Sequence, residues 1–186
     1  MEYLDIVDDK GIPTGQIIDR STAHREGIRH RTSHVWIFRK QNGIVQVMLQ
    51  KRSKNKDSYP SCYDISSAGH IPAGSDYIPS ALRELKEELG LDVQASELIF
   101  CGKRQIHYKG NFNDVAFVDN QVSNVYMMWK DVEPKDLHIQ KEEVEEVMWM
   151  DFVACRKAVK DHSMPNCIVE EELDMLQTAL HKQAEL

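Results

Sequence analysis

The chain has 186 residues, 41% hydrophobic and 28% charged, with a formal net charge of -7. That balance excludes a disordered or low-complexity chain and argues against a coat for nucleic-acid polymers, whose phosphates call for positive charge. No apolar run approaches the roughly 20 residues that span a bilayer, and the acidic start MEYLDIVDDKG lacks a secretory core, so a cytoplasmic protein with no membrane partner is expected.

One domain over 1–186 suits this length, with residues 1–30 as an N-terminal extension packed on it and 165–186 as a C-terminal helix. Residues 1–20 read as strand, turn and strand, with Asp9-Lys10-Gly11 at the turn. Residues 33–39 alternate and are rich in β-formers; Asn42-Gly43 signals a hairpin, and IVQVMLQKR is the return strand. Residues 57–68 read as a loop into a short strand. A helix is expected over 77–89, with Asp76 as N-cap and Gly90 just past its end. Strands follow at about 97–107, 114–119, 122–130 and 146–150, with 107–114 read as a mobile turn. The segment DFVACRKAVKD reads as helix, and 167–184 as an amphipathic helix turning Ile168, Leu173, Leu176 and Leu180 to the core. Strands with helices between and after them imply an α/β fold with a mixed sheet. The four cysteines are widely spaced and are expected as free thiols.

The informative stretch is GHIPAGSDYIPSALRELKEELGL, residues 69–91. At 100° per residue Ile78, Leu82, Leu85 and Leu89 form a narrow stripe, with Glu84, Glu87 and Glu88 expected on the opposite side. Carboxylates at such spacing repel one another unless a hard divalent cation joins them. A solvated acidic face is the bland alternative. Gly69, Arg83, Glu84, Leu85, Glu87, Glu88, Gly90 and Leu91 stand in register with the pattern G-x5-E-x7-R-E-U-x-E-E-x-G-U, where U is a bulky aliphatic residue. The stretch therefore resembles the Nudix box of the Nudix hydrolases. Ser75 departs from that pattern, replacing its first glutamate.

The resemblance implies an α/β/α sandwich around a central mixed sheet, and hydrolysis of a diphosphate linked to a small, perhaps nucleotide, group. It implies Mg2+ or Mn2+ on Glu84, Glu87 and Glu88, with Gly69, Arg83 and Gly90 shaping the box. Glu87 or Glu88 would act as base, as would one of Glu142, Glu143, Glu145 and Glu146, among which Glu143 is chosen. The substrate is a small-molecule diphosphate, and a homodimer suits a protein of this size and class.

Over roughly residues 1–150 the chain is also similar to the branch of isopentenyl-diphosphate isomerases. By that resemblance Arg52 and Lys56 grip the diphosphate. His30 and His70 match histidine ligands of the isomerase metal, and His24 does so with a one-residue slip. His70 alone, beside the box, is otherwise expected to support the site or touch phosphate. Two departures argue against isomerase activity: Ala68 stands where the catalytic cysteine precedes the Gly-His, and Asp119 and Gln121 replace two glutamates. A non-catalytic binding module is the remaining alternative, supported by Ser75 alone. Tyr59, Tyr63, Tyr108 and Phe112 lie in segments that could line the mouth of a pocket and stack a nucleobase; Tyr63 and Trp36 fit the core equally well, and Trp149 is read as core.

Overall fold

A computed structural model describes residues 2–112 and 115–184. In chain order the elements are β1 (Tyr3–Val7), β2 (Pro13–Asp19), α1 (Arg20–Glu26), β3 (His30–Gln41), β4 (Ile44–Arg52), β5 (Tyr63–Asp64), β6 (Ser67–His70), α2 (Tyr77–Leu89), β7 (Ile99–Phe112), β8 (Val115–Trp129), β9 (Val144–Asp151), α3 (Phe152–Lys160) and α4 (Glu170–Ala184).

Seven strands form one sheet in the order β5-β4-β3-β8-β7, with β6 also on β3 and β9 on β4. β3 and β8 run parallel from His30↔Gln121 to Phe38↔Trp129, and the other pairs in the sheet are antiparallel. The sheet is therefore mixed. β1 and β2 pair as a separate hairpin.

Both faces of β3 are covered, so Val35, Trp36, Ile37 and Phe38 are all buried and form a continuous apolar run instead of the alternation expected for residues 33–39. Val35 and Ile37 pack with Met48, Tyr126 and Met128 under Ala81, Leu85 and Leu89 of α2. Trp36 and Phe38 pack on the other face with Val125, Met127, Phe152, Cys155, Leu173 and Leu176. α2 thus covers one face, and α3 with α4 the other. Leu85 is wholly buried; truncating such a residue to alanine costs about 2–5 kcal/mol.

Several expectations need correction. Residues 20–26 form a helix, which was not read in the sequence; Asp19 caps it by accepting from Thr22 N–H. β7 continues through 107–112 where a mobile turn was expected, because β8 pairs with it as far as Phe112↔Val115; residues 113 and 114 lie outside the described residues. The two strands expected at 114–119 and 122–130 form one, β8. Helix α4 begins at Glu170, and 185–186 lie outside the described residues.

The bounds of α2 agree with the sequence reading. Asp76 accepts from Tyr77 N–H, and Gly90 ends the helix at φ 72°, a left-handed geometry that costs glycine little. The orientation does not agree. The buried face is Ala81, Leu85, Glu88 and Leu89, while Ile78 is exposed. The apolar stripe is broader than the sequence reading took it to be, and its far side brings Glu88 inward.

Candidate active site

The short strand β6 leads from the sheet through a loop into α2, so residues 67–70 lie beside the α2 carboxylates. Ser67 donates to Glu88 Oε2 at 2.7 Å. Gly69 lies so close to Glu84 that a Cβ built on it would sit 2.2 Å from the Glu84 carboxyl carbon. No larger residue fits there without moving Glu84. Arg83 donates to Glu84 Oε1 at 2.6 Å and to Glu87 Oε2 at 2.8 Å, tying the two acids together. Its Nη2 also reaches the His70 carbonyl at 3.3 Å. Gly90 is confined by His138, whose Cβ would lie 2.7 Å from an added Cβ.

The three acids occupy different surroundings. Glu87 is exposed, Glu84 is mostly buried and Glu88 is buried. Burial pushes the Glu88 carboxyl up to about 8 despite the Ser67 hydrogen bond, and pushes Glu84 up to about 7 despite Arg83. Two acids held near neutral by burial form a site that a cation would convert to carboxylates.

The loop that leads into α2 is held from outside residues 69–91. Asp5 Oδ2 accepts from Gly74 N–H at 3.0 Å and from Arg31 Nη2 at 2.9 Å, while Arg31 donates to the Ser75 carbonyl at 2.8 Å. Ala73 N–H donates to the Tyr3 carbonyl at 2.8 Å. The β1–β2 hairpin therefore clamps the loop that carries Ser75.

Arg52 ends β4 and faces Asp64, donating to Oδ2 at 2.8 Å; its Nε and Nη2 donate to the Ser58 carbonyl at 3.1 and 3.0 Å. Lys56, in the following loop, contacts Glu143 from the turn before β9. The structure thus brings Glu143 to the Arg52–Lys56 loop, whereas Glu145 pairs with Lys51 and Glu146 accepts from Tyr63. Tyr59 in the same loop packs edge-on against Phe112, 4.8 Å between ring centres, and near Tyr108 at 6.1 Å.

His24 of α1, His30 of β3 and His70 of β6 meet on the face covered by α4. Their ligand-type nitrogens all lie within 4.8 Å of one another, and His24 Nε2 is 3.0 Å from His70 Nε2. His30 Nδ1 lies 2.8 Å from the Ile28 carbonyl, which leaves Nε2 as the acceptor. That Nε2 and His24 Nδ1 are buried without a hydrogen-bond partner among the described residues. His24 Nδ1 is 3.6 Å from Asp119. Burial, then the neighbouring histidine and Arg20, lower the His24 pKa to about 4; burial lowers His30 and His70 as well. Neutral imidazoles with bare nitrogens aimed inward fit a cation. Helix α1, which was not read in the sequence, is what brings His24 in.

A family model described as a NUDIX domain matches residues 28–166. The chain belongs to the Nudix family. Nudix hydrolase 3 of Arabidopsis thaliana is 39% identical over 155 residues, covering 81% of this chain and 19% of that protein. An uncharacterized Nudix hydrolase of Clostridium acetobutylicum is 34% identical over 145 residues, covering 77% of this chain and 66% of the relative. The chain thus spans less than two thirds of either relative. Isopentenyl-diphosphate Delta-isomerases match at lower identity, 23% over 158 residues for that of Escherichia coli, or 85% of this chain and 81% of the isomerase. Among solved structures, DR0079 of Deinococcus radiodurans superposes with a TM-score of 0.68 at 17% identity, covering 93% of this chain and 98% of that one. The Nudix fold expected from the box is thereby established for this chain.

The Nudix box accounts for α2 and its loop. Outside it, no residue of the Asp5–Arg31 clamp stood out in the sequence, because the pair is 26 residues apart. His34 and Glu172, described below, escaped for the same reason. No helix among the described residues is long and apolar enough to cross a membrane.

Proposed function

We propose that this Nudix chain is a divalent-metal-dependent hydrolase that cleaves a diphosphate linkage in a small compound, nucleotide derivatives among the candidates. The observation that carries this reading is the pair of buried acids, Glu84 and Glu88, packed against the Gly69 strand. Their burial is costly without a cation and useful with one. Glu84, Glu87 and Glu88 would hold Mg2+ or Mn2+, both of which favour oxygen ligands. The bound ion would supply positive charge against the phosphate oxygens and make the attacking water more acidic.

The remaining roles belong to side chains. Arg52 and Lys56 bind the diphosphate, and Ser58 and Asp64 hold the Arg52 plane in place. Glu143 takes the proton of the attacking water, with Glu87 and Glu88 as the other acids within the box; its contact with Lys56 is the support for choosing it. Arg83 keeps Glu84 and Glu87 together. The three histidines hold a second cation, for which imidazole nitrogen suits a transition metal. Isomerase chemistry is disfavoured by Ala68, which has no thiol, and by Gln121, whose amide bonds Asp119 and Thr32.

The test is a phosphate-release screen over nucleoside di- and triphosphates, nucleotide sugars, dinucleotides and isoprenyl diphosphates, with Mg2+ and with Mn2+. The expected result is release that needs metal and vanishes in the Glu87→Gln/Glu88→Gln variant. No release from any of these compounds, with metal still bound, sinks the reading in favour of a binding module.

A further inference from the structure

Side chains along β6 alternate between the two faces of the sheet. Ser67 stands opposite Val35 of β3, and Gly69 opposite Ser33. Val35 packs under α2, so Ser67 and Gly69 share the face that α2 covers, while Ala68 packs on the other side. Two residues along a strand span about 6.6 Å, and four along a helix about 6 Å. The two steps match. Gly69 packs against Glu84 with no room for a Cβ, and Ser67 meets Glu88 one helical turn further on.

The two contacts differ in kind. At Gly69 the lack of a side chain makes room for an acid. At Ser67 a hydroxyl holds one: Oγ–H donates to Glu88 Oε2 at 2.7 Å. Ser67 is wholly buried, and Glu88 keeps 7% of its surface exposed. Among the described residues no other hydrogen bond or ion pair reaches the Glu88 carboxylate, whereas Glu84 and Glu87 share Arg83. A free glutamate side chain samples many rotamers. With Oε2 pinned by a residue on a strand, Oε1 is the uncommitted oxygen and keeps one direction.

The neighbouring serine has a different task. Ser66 Oγ accepts from Ile37 N–H at 2.8 Å and donates to the Met48 carbonyl at 2.6 Å. It closes the fork where β3 exchanges β4 for β6 as its partner, and it bonds none of the box acids.

We propose that Ser67 is a positioning residue: it pins Oε2 of Glu88 so that Oε1 is presented to the divalent cation. The proposal rests on the hydrolase reading above, in which Glu88 holds metal, and adds the residue that aims it. A hydrogen bond that only satisfied a buried carboxyl would affect stability and nothing else.

The experiment uses the full chain and Mg2+ alone, with no substrate. Mg2+ favours oxygen ligands, so it reports on the box acids and not on the three histidines. Binding is read at the Glu88 side-chain carboxyl carbon by NMR, the resonance being assigned with Glu88→Gln, and stability is read by urea unfolding in chelator. Ser67→Ala is expected to raise the Mg2+ dissociation constant by about ten-fold or more, as when a residue that orients a metal ligand is removed. Ser67→Cys, close in size but a weaker donor, is expected to fall between Ser67→Ala and wild type. Ser66→Ala is expected to lower stability in chelator and to bind Mg2+ as wild type does. A folded Ser67→Ala protein with an unchanged Mg2+ constant overturns the proposal, even if it unfolds at lower urea, because the bond would then be structural only. An equal loss of Mg2+ affinity in Ser66→Ala overturns it as well, since the placement of β6 and not the Ser67 hydroxyl would be responsible. If Ser67→Ala does not fold, Ser67→Cys decides: a Mg2+ constant equal to wild type overturns the proposal. A wild type whose Glu88 resonance ignores Mg2+ removes the metal-dependent hydrolase reading itself, a pattern distinct from a wild type that responds and a Ser67→Ala protein that responds equally.

Discussion

The Asp5 carboxylate joins the Arg31 guanidinium, at 2.9 Å, to the loop that precedes the Nudix helix, whose Gly74 N–H it accepts at 3.0 Å. Both side chains are nearly inaccessible. Breaking such a buried pair from one side leaves an uncompensated charge. Asp5→Asn is therefore expected to cost about 3 kcal/mol of stability and to lower turnover, since the loop sets where α2 begins. Urea unfolding beside a turnover assay checks it; a variant as stable as wild type would show that the pair is not a clamp.

Gly69→Ala tests the close approach of β6 to α2. An added Cβ falls 2.2 Å from the Glu84 carboxyl carbon, so Glu84 must swing away. The expected outcome is a folded protein with metal-dependent turnover reduced by roughly a hundred-fold, as when a reacting group is displaced by an ångström. Circular dichroism and a turnover assay at saturating metal measure the two parts separately.

Glu88→Gln is expected to separate activity from stability. Burial raises the Glu88 carboxyl to about 8 from 4.5. In the metal-free protein the fold keeps a proton that the unfolded chain releases, so stability falls as pH rises from about 4.5 towards 8. Replacing the acid removes that loss. The variant should be more stable than wild type by about 1–3 kcal/mol at pH 8 in chelator, while metal-dependent phosphate release disappears. Thermal unfolding that shows no gain would contradict the burial argument.

The His34–Glu172 pair predicts a pH window. The Glu172 carboxyl is buried, which would raise it, yet His34, Trp36 and Arg104 hold it down at about 2. Its stabilisation is present above its unfolded value of 4.5 and is lost as pH falls from there towards 2. The raised His34 contributes below its unfolded value of 6.5 and loses that contribution as pH rises through its folded value. The pair is strongest between about 4.5 and 6.5. Glu172→Gln is expected to cost about 3 kcal/mol at pH 6 and to flatten the acid limb of the stability curve, measured by denaturant unfolding at pH 3, 4, 5 and 6.

Much of the sheet was legible because its signals are local. Asn42-Gly43 marks the β3–β4 turn, and Asp76 and Gly90 mark both ends of α2 through caps that act within one turn. The short helix α1 was not legible: seven residues carry too little periodicity, and its ends depend on Asp19 and Gly27. The strand at 107–112 was misread for a related reason. HYKGNF has a polar, glycine-containing look, and only pairing with β8 makes it a strand.

By itself the sequence determined the family, the bounds of α2 and the candidate acids of the box, because fixed offsets along one helix and its loop need no distant partner. The tertiary structure decided which of those acids is inside. Packing of Ala81, Leu85 and Leu89 on the sheet turned Glu88 inward and left Ile78 in solvent. It also gathered His24, His30 and His70, and joined His34 to Glu172 across 138 residues. Such meetings depend on which strand lies beside which and on the side of the sheet a residue faces. A one-residue change of register would send each of these side chains to the opposite face.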